Sequence, residues 1–167
     1  MPDRLASFAS LDTPIGRLWL SGTDAGLLAI TRSDGPEQLL AELERLGWSA
    51  VSDPEALAAA RRELDGYFAG TLRSLAVPLD LREVPPFHAA VDRAVMSIRY
   101  GSTASYAEVA AMAGAPRAAR AVGGAMARCP LFPVVPCHRV IHADGSIRGW
   151  GRDLWVKRWL LIHERAM

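Results

Sequence analysis

One of the chain's two cysteines, Cys137, stands beside a histidine in the segment Pro136-Cys137-His138-Arg139-Val140. A thiolate is the strong nucleophile among side chains at neutral pH, and a nearby imidazole can help to form it. The apolar run Phe132-Pro133-Val134-Val135 precedes it, and its prolines and β-branched residues predict a buried, rigid strand-to-turn element. A nucleophile locked in place and shielded from water suits a single directed attack. Neighbours on an extended strand point to opposite faces, so adjacency alone does not put the thiol against the imidazole. A cysteine in an apolar run is also more often a small core residue. Glu164, near the end of a helical segment, is unfavourable for the helix dipole there. It is a candidate for the third group that orients His138.

The elements that must position these residues follow from periodicity. Leu5 to Leu11, Arg17 to Ser21 and Leu27 to Thr31 read as strands, separated by the turn-rich segments 12–16 and 22–26. They predict a three-stranded antiparallel meander. Pro36 to Leu46 has helical spacing through Leu39, Leu40, Leu43 and Leu46. Asp53-Pro54 reads as N-cap and first position of a second helix running to Gly70. Ala76 to Leu81 is a candidate last strand, and Arg82-Glu83-Val84-Pro85-Pro86 a link to a second domain. Domains over 1–82 and 83–167 are therefore expected. Phe87 to Ile98 carries an apolar helical stripe, and Leu154 to Glu164 is an apolar helix packed through Leu154, Trp155, Trp159, Leu160 and Ile162.

Between these helices lies a pattern with a specific geometry. Ser105 caps a short helix, Tyr106 to Ala113, with Glu108 in its first turn. Gly114 ends it, and Ala115-Pro116 starts a second helix bearing Arg117, Arg120 and Arg128. This is the outline of a helix-turn-helix. The small residues Ala118, Ala119, Ala121, Gly123 and Gly124 allow close approach of a groove or another helix.

Charge supports the same half. Up to Glu83 there are 8 Lys and Arg against 13 Asp and Glu; from Val84 onward there are 11 against 5. An acidic half joined to a basic one points to a polyanion partner for the second half alone. Half of the 167 residues are hydrophobic and 22% are charged, the profile of a globular protein. No signal peptide or bilayer-spanning stretch is read, and two cysteines without a disulfide framework point to the reducing cytoplasm. With no CxxC or HExxH motif, and no Cys and only His88 in the first 128 residues, a structural zinc site is not expected in the N-terminal half.

From Phe87 to Glu164 the chain resembles the O6-alkylguanine-DNA alkyltransferases. The matching segments are Tyr100-Gly101, Ser105-Tyr106, Gly114-Ala115-Pro116-Arg117-Ala118-Ala119-Arg120-Ala121-Val122-Gly123, Pro136-Cys137-His138-Arg139-Val140-Ile141, Asp144-Gly145, and Lys157 with Leu160-Leu161 and Glu164. The N-terminal part resembles the family's ribonuclease-H-like domain through strand and helix order and through Thr13-Pro14-Ile15-Gly16. The resemblance implies an α+β protein: an α/β, ribonuclease-H-like N-terminal domain and a helical, winged-helix-like C-terminal domain.

It also implies roles. Cys137 would attack the alkyl carbon on guanine O6 and keep the alkyl group as a thioether, acting once. His138, through a water and backed by Glu164, would hold the thiolate. Tyr106 would donate a proton to the leaving guanine, Lys157 would support the pocket, and the Cys137 and Val140 carbonyls would read the guanine amino group. No metal or organic cofactor is implied. Double-stranded DNA carrying the lesion would be the partner of a monomer, whose cooperativity along DNA stays open. The nucleotide must be flipped out, with Arg120 as the finger filling the vacated stack. Arg117, Ser105, Tyr106, Ala119, Ala121 and Gly123 would meet the minor groove.

Departures from the family are specific. Cys129 stands where an Asn usually ties helix to strand, and is a candidate for secondary alkylation or oxidation. Ile147-Arg148-Gly149-Trp150-Gly151 replaces a loop of small residues and a Tyr, and Phe132 stands where a smaller residue is common. Arg148, Trp150 and Phe132 are expected to narrow the pocket against bulky adducts such as benzyl. Asp92 replaces an aromatic and Arg99 a proline; the sequence explains neither. Three alternatives are a lesion-recognition protein without transfer, which typically has Trp in place of the cysteine, a Cys-His hydrolase, and a DNA-binding regulator. The hydrolase leaves the arginine-bearing helices without a purpose, and the regulator leaves Pro136 to Val140 without one.

Overall fold

A computed structural model describes residues 4–167. The chain divides into two units, one ending at Glu83 and one beginning at Val84.

The first unit is built on β1 (Leu5–Thr13), β2 (Gly16–Thr23) and β3 (Gly26–Arg32), an antiparallel meander as the alternation predicts. After α1 (Glu37–Arg45) the chain adds β4 (Ser49–Ser52), parallel to β1, giving the order β3-β2-β1-β4. All four β4 residues are exposed. With no buried face the strand has no alternating pattern, and sequence reasoning misses it. One sheet face carries Ala6, Phe8 and Trp19 against Leu39 and Leu43 of α1 and Trp48. Leu18 and Leu20 point to the other face. There one 3-10 turn, Glu55–Leu57, leads into α2 (Ala58–Phe68). The Asp53 carboxylate accepts from the Ala56 N–H at 3.1 Å, so the predicted cap is made, though on the 3-10 turn.

Ala76 to Leu81 is not a strand. Only Leu79 bridges, to Leu27 of β3, and the Leu27 N–H donates to the Pro78 carbonyl at 2.8 Å. Pro78 can give no ladder donor of its own. The close approach requires Gly26, whose φ is +140° and whose missing Cβ would run into the Pro78 carbonyl.

The second unit contains α3 (Pro86–Met96), β5 (Ala104–Ser105), α4 (Tyr106–Met112), α5 (Ala119–Ala127), β6 (Val140–Ile141) and α6 (Leu154–His163). Ser105 and Glu108 form a reciprocal capping box at α4, each side chain bonding the other's backbone N–H. Gly114, at φ +81°, turns the chain after it. The second helix starts at Ala119, later than expected. Pro116 disfavours helical backbone at Ala115, and residues 115–118 form a turn closed by Ala118 N–H to the Ala115 carbonyl. Arg117 therefore precedes the helix.

Two further expectations are corrected. Phe132 to Val135 is not extended: the Val135 N–H bonds the Leu131 carbonyl at 2.9 Å, and Cys137–Arg139 is a single 3-10 turn before β6. Pro130, Pro133 and Pro136 each remove a ladder donor, which leaves a turn as the stable choice. On α6 the buried face is Lys157, Leu160, Leu161 and, just beyond the last turn, Glu164, with Val156 beside it; Trp155 and Ile162 are exposed. The spacing i, i+3, i+4, i+7 is that of a core stripe, but a lysine and a glutamate occupy two of its positions. Among the described residues no helix is long and apolar enough to cross a membrane.

Candidate active site

Cys137 opens the 3-10 turn and is 2% exposed. The turn places the next two side chains in the core: His138 is fully buried and Arg139 nearly so. Both converge on Glu164. His138 Nε2 lies 2.8 Å from Glu164 Oε1, Arg139 Nε donates to Oε2 at 2.9 Å, and Arg139 Nη2 donates to Oε1 at 2.8 Å. Arg139 Nη1 also donates to the Ile98 carbonyl beyond α3, at 2.7 Å. One carboxylate thus joins the active-site turn to the end of α6, and one guanidinium joins it to α3. Arg139 offsets the dipole penalty on Glu164 with a bidentate, charge-assisted pair.

Glu164 sets the chemistry of His138. A carboxylate on Nε2 favours the tautomer with its proton there, so the lone pair sits on Nδ1. Nδ1 is buried and has no hydrogen-bond partner. Burial pushes the His138 pKa down, against the opposing pull of Glu164, so the imidazole is neutral at physiological pH.

The cavity beside Cys137 has a volume of about 310 Å³. Tyr106 of α4 and Gly123 and Met126 of α5 line one part of it, together with Ala127 and Cys129. Phe132, Gly149, Trp150 and Asp153 form the other. Phe132 and Trp150 pack edge to face at 5.2 Å, and Phe132 meets the His138 ring in the same manner at 6.0 Å. Burial, and the nearby Cys137 charge, raise the Tyr106 pKa, so the phenol keeps its proton at neutral pH.

Lys157 is fully buried. Its Nζ donates to the Val140 carbonyl at 2.6 Å and lies 5.3 Å from the Trp150 ring centre. Burial lowers its pKa to about 8, with the Cys137 charge acting in the opposite direction.

The residues chosen from sequence sort into three groups. Cys137, Tyr106, Phe132, Gly149, Trp150 and Gly123 line the cavity. Val140, Ile147, Lys157, His138 and Glu164 are buried behind it. Arg148 and Gly151 are exposed and do not line it; Arg148 turns outward toward Asp144 at 3.6 Å. The expected crowding of the rim by Arg148 is therefore corrected, and Phe132 and Trp150 supply the bulk. Arg117, Arg120 and Ala121 are exposed on the helix pair, Ala119 and Ser105 partly so.

Sequence reasoning missed Arg139, whose place in the motif gives no sign of the clamp it forms, and the wall residues Met126, Ala127 and Asp153. It also missed a buried carboxylate. Asp92 of α3 is 1% exposed, and both its carboxylate oxygens lack a hydrogen-bond partner. Burial raises its pKa from 3.8 to about 6, with the Cys129 thiol and then Arg93 pulling it back. The Cys137 thiol is itself pushed up, first by the Cys129 thiol, then by burial and by the charges of Cys129 and Asp92. Together these influences favour the neutral thiol over the thiolate.

Asp92 strains the fold. Its folded pKa lies above its unfolded one, so the folded state holds the extra proton between about pH 4 and pH 6, and stability falls as pH rises through that window. Asp92→Asn should raise stability at pH 7 by roughly 1–2 kcal/mol. The gain should vanish below pH ~4, where Asp92 is protonated in both states. Urea unfolding of both proteins across pH checks this.

A buried thiol lining a cavity, a neutral imidazole–carboxylate pair behind it and an arginine-bearing helix pair beside it fit one class: group-transfer proteins with a cysteine acceptor and a nucleic-acid-facing surface. Comparison with known proteins narrows it. Residues 86–166 match the 6-O-methylguanine DNA methyltransferase DNA-binding domain, and residues 7–81 its ribonuclease-like domain. A methylated-DNA–protein-cysteine methyltransferase of Mycolicibacterium paratuberculosis is 43% identical over 161 residues, 96% of this chain and 93% of that protein. The protein of the same description from Mus musculus is 37% identical, over 94% of this chain and 80% of its own length. The crystal structure of Mycobacterium tuberculosis O6-methylguanine methyltransferase superposes with a TM-score of 0.80 at 39% identity, covering 96% of this chain and 93% of that one. A Mycobacterium tuberculosis OGT in complex with DNA superposes with a TM-score of 0.79 at 37% identity, covering 97% and 93%. The chain belongs to the 6-O-methylguanine DNA methyltransferase family.

Proposed function

We propose that this protein repairs DNA by direct reversal, moving the alkyl group of O6-alkylguanine onto Cys137 in a single turnover. The observation that carries this reading is the buried Cys137 at the floor of a cavity backed by the His138–Glu164–Arg139 cluster. The family match and the DNA-bound relative support it.

The target nucleotide rotates out of the duplex into the cavity, since a buried thiol cannot reach O6 in a stacked base. Exposed Arg120 fills the gap, and Arg117 and the small residues of α5 let the helix sit close in the minor groove. A water on His138 Nδ1 receives the Cys137 proton. The sulfur attacks the alkyl carbon, the carbon–O6 bond breaks, and its electron pair stays on guanine. Tyr106 supplies the proton that guanine then needs. Lys157 fixes the position of the Val140 carbonyl. The thioether has no electrophilic carbonyl for water to attack, so the site is spent. The chemistry draws only on side chains and one water. A reduced Cys137 is required, which suits a cytoplasmic monomer.

Nucleoside analysis of a duplex holding one O6-methylguanine tests the reading. Guanine should appear mole for mole with protein and then stop; continued turnover or an unchanged lesion would overturn it. The Phe132–Trp150 pair also makes a size prediction. O6-benzylguanine should inactivate the protein more slowly than O6-methylguanine in DNA is repaired, and Trp150→Ala should speed the benzyl reaction by about tenfold, a cost of one small packing clash. Competition assays with the two substrates give both rates.

A further inference from the structure

We propose that His142 is a positioning residue for alkyl transfer: its imidazole, held by the Arg148 carbonyl, braces the Tyr106 phenol in the orientation from which it protonates the departing guanine. His142 falls in the gap between the family segments 136–141 and 144–145.

The contact follows from the small sheet of the second unit. β6 pairs in parallel with β5, with Ala104 across from Val140 and Ser105 across from Ile141. One step further along that register Tyr106 stands across from His142, and residues at opposed register positions point to the same face. The two rings lie 5.1 Å apart, centroid to centroid, with their planes at 51°. This is the spacing of an aromatic pair. The His142 backbone is fixed as well. Its N–H donates to the Ser146 carbonyl at 3.1 Å, and its carbonyl accepts from the Gly145 N–H at 2.9 Å. The side chain has a polar anchor, since Nε2 lies 3.3 Å from the Arg148 carbonyl oxygen. A carbonyl only accepts, so Nε2 carries the proton. Gly149 and Trp150, next in the chain, line the same cavity as Tyr106. His142 therefore joins the proton donor to the loop that borders its substrate.

Tyr106 depends on such a brace. A general acid must come within hydrogen-bond reach of the atom it protonates. The phenol hydroxyl sits at the far end of its side chain, so a small tilt of the ring moves it off that atom. Toward α5 the ring meets Gly123, where an added Cβ would stand 4.0 Å from Tyr106 Cε1, and a glycine offers no side chain to lean on. The imidazole supplies a rigid one. Two plainer roles for His142 are a contact to DNA and the closing of the 142–146 turn alone.

The inference rests on the alkyl-transfer reading, in which Tyr106 is the proton donor. The test compares wild type, His142→Ala, His142→Phe, Tyr106→Phe and the Tyr106→Phe/His142→Ala double variant. Single-turnover methyl transfer is followed over a range of O6-methylguanine duplex concentrations, together with the rate at which iodoacetamide labels Cys137. Iodide leaves without a proton, so labelling reads the thiol without its donor. His142→Ala should lower the saturating transfer rate by about tenfold, as a misaimed donor does. Its half-saturating duplex concentration and its labelling rate should stay within about twofold of wild type. His142→Phe keeps a ring beside the phenol and should return to within about threefold of wild type. The double variant should be no slower than Tyr106→Phe, since the imidazole acts only through the phenol. A loss confined to half-saturation would make His142 a DNA contact, and an equal fall in labelling would place its effect on the thiol or the fold. Losses that multiply in the double variant would separate it from Tyr106. Each of these overturns the inference, as would unchanged transfer by His142→Ala or by Tyr106→Phe, or a His142→Phe variant as slow as His142→Ala. Absence of any transfer by wild type would sink the alkyl-transfer reading and this inference with it.

Discussion

Cys137→Ser should lose alkyl transfer by more than about 10⁴-fold while still binding lesion-bearing duplex, because an alcohol in a water-poor cavity is not ionised where a thiol can be. The substitution changes one atom in a residue that is 2% exposed, so the cavity and the helix pair keep their shape. The variant becomes a damage-binding protein, with the flipped base held against a hydroxyl that cannot attack. Fluorescence of a 2-aminopurine beside the lesion reports flipping, and nucleoside analysis reports transfer. Retained flipping with no transfer is the expected pair of results. Transfer at a tenth of the wild-type rate would mean that another group is the acceptor.

Glu164→Leu should destabilise the second unit by about 3–5 kcal/mol and also abolish transfer. Most of the stability loss comes from Arg139, left buried at 8% exposure without its carboxylate. The two effects can be separated. Glu164→Leu combined with Arg139→Met removes the stranded charge and should recover most of the stability, since apolar residues commonly replace a buried ion pair without loss. It should not recover transfer, because His138 Nε2 still lacks the acceptor that keeps the Nδ1 lone pair facing inward. Urea unfolding and single-turnover rates, measured on the single and double variants, give the two quantities. Recovery of both together would show that Glu164 acts only through stability.

The nucleophile and its helix pair are legible in the sequence because their signals are local. Ser105 and Glu108 lie three residues apart and write their capping box into four positions, and Gly114 marks the turn that follows. The meander reads for the same reason, through short apolar runs bounded by turn residues. The rest depends on contacts between distant residues. Arg139 reaches Glu164 and Ile98, 25 and 41 residues away, and nothing near it in sequence states that purpose. Lys157 and Glu164 lie on the buried stripe of α6, where a hydropathy pattern expects leucines. Trp155 and Ile162, the residues such a pattern prefers, face outward. The run before Cys137 reads as a strand by composition, but three prolines deny it the ladder donors a strand needs. Asp92 is visible only as an odd residue in the sequence; its burial without a hydrogen-bond partner shows only in the fold.

A fold of this kind divides its labour. The second unit's basic surface answers to DNA, and its interior answers to one sulfur atom. The burial that shields Cys137 also raises its pKa, so protection and reactivity oppose each other.

The most direct measurement is intact-protein mass spectrometry with peptide mapping, after mixing the protein with a duplex that holds one O6-methylguanine. The account predicts a gain of one methyl group per protein, located on Cys137, with Cys129 unmodified. A methyl group on Cys129, or none on the protein while the lesion disappears from the DNA, would contradict it.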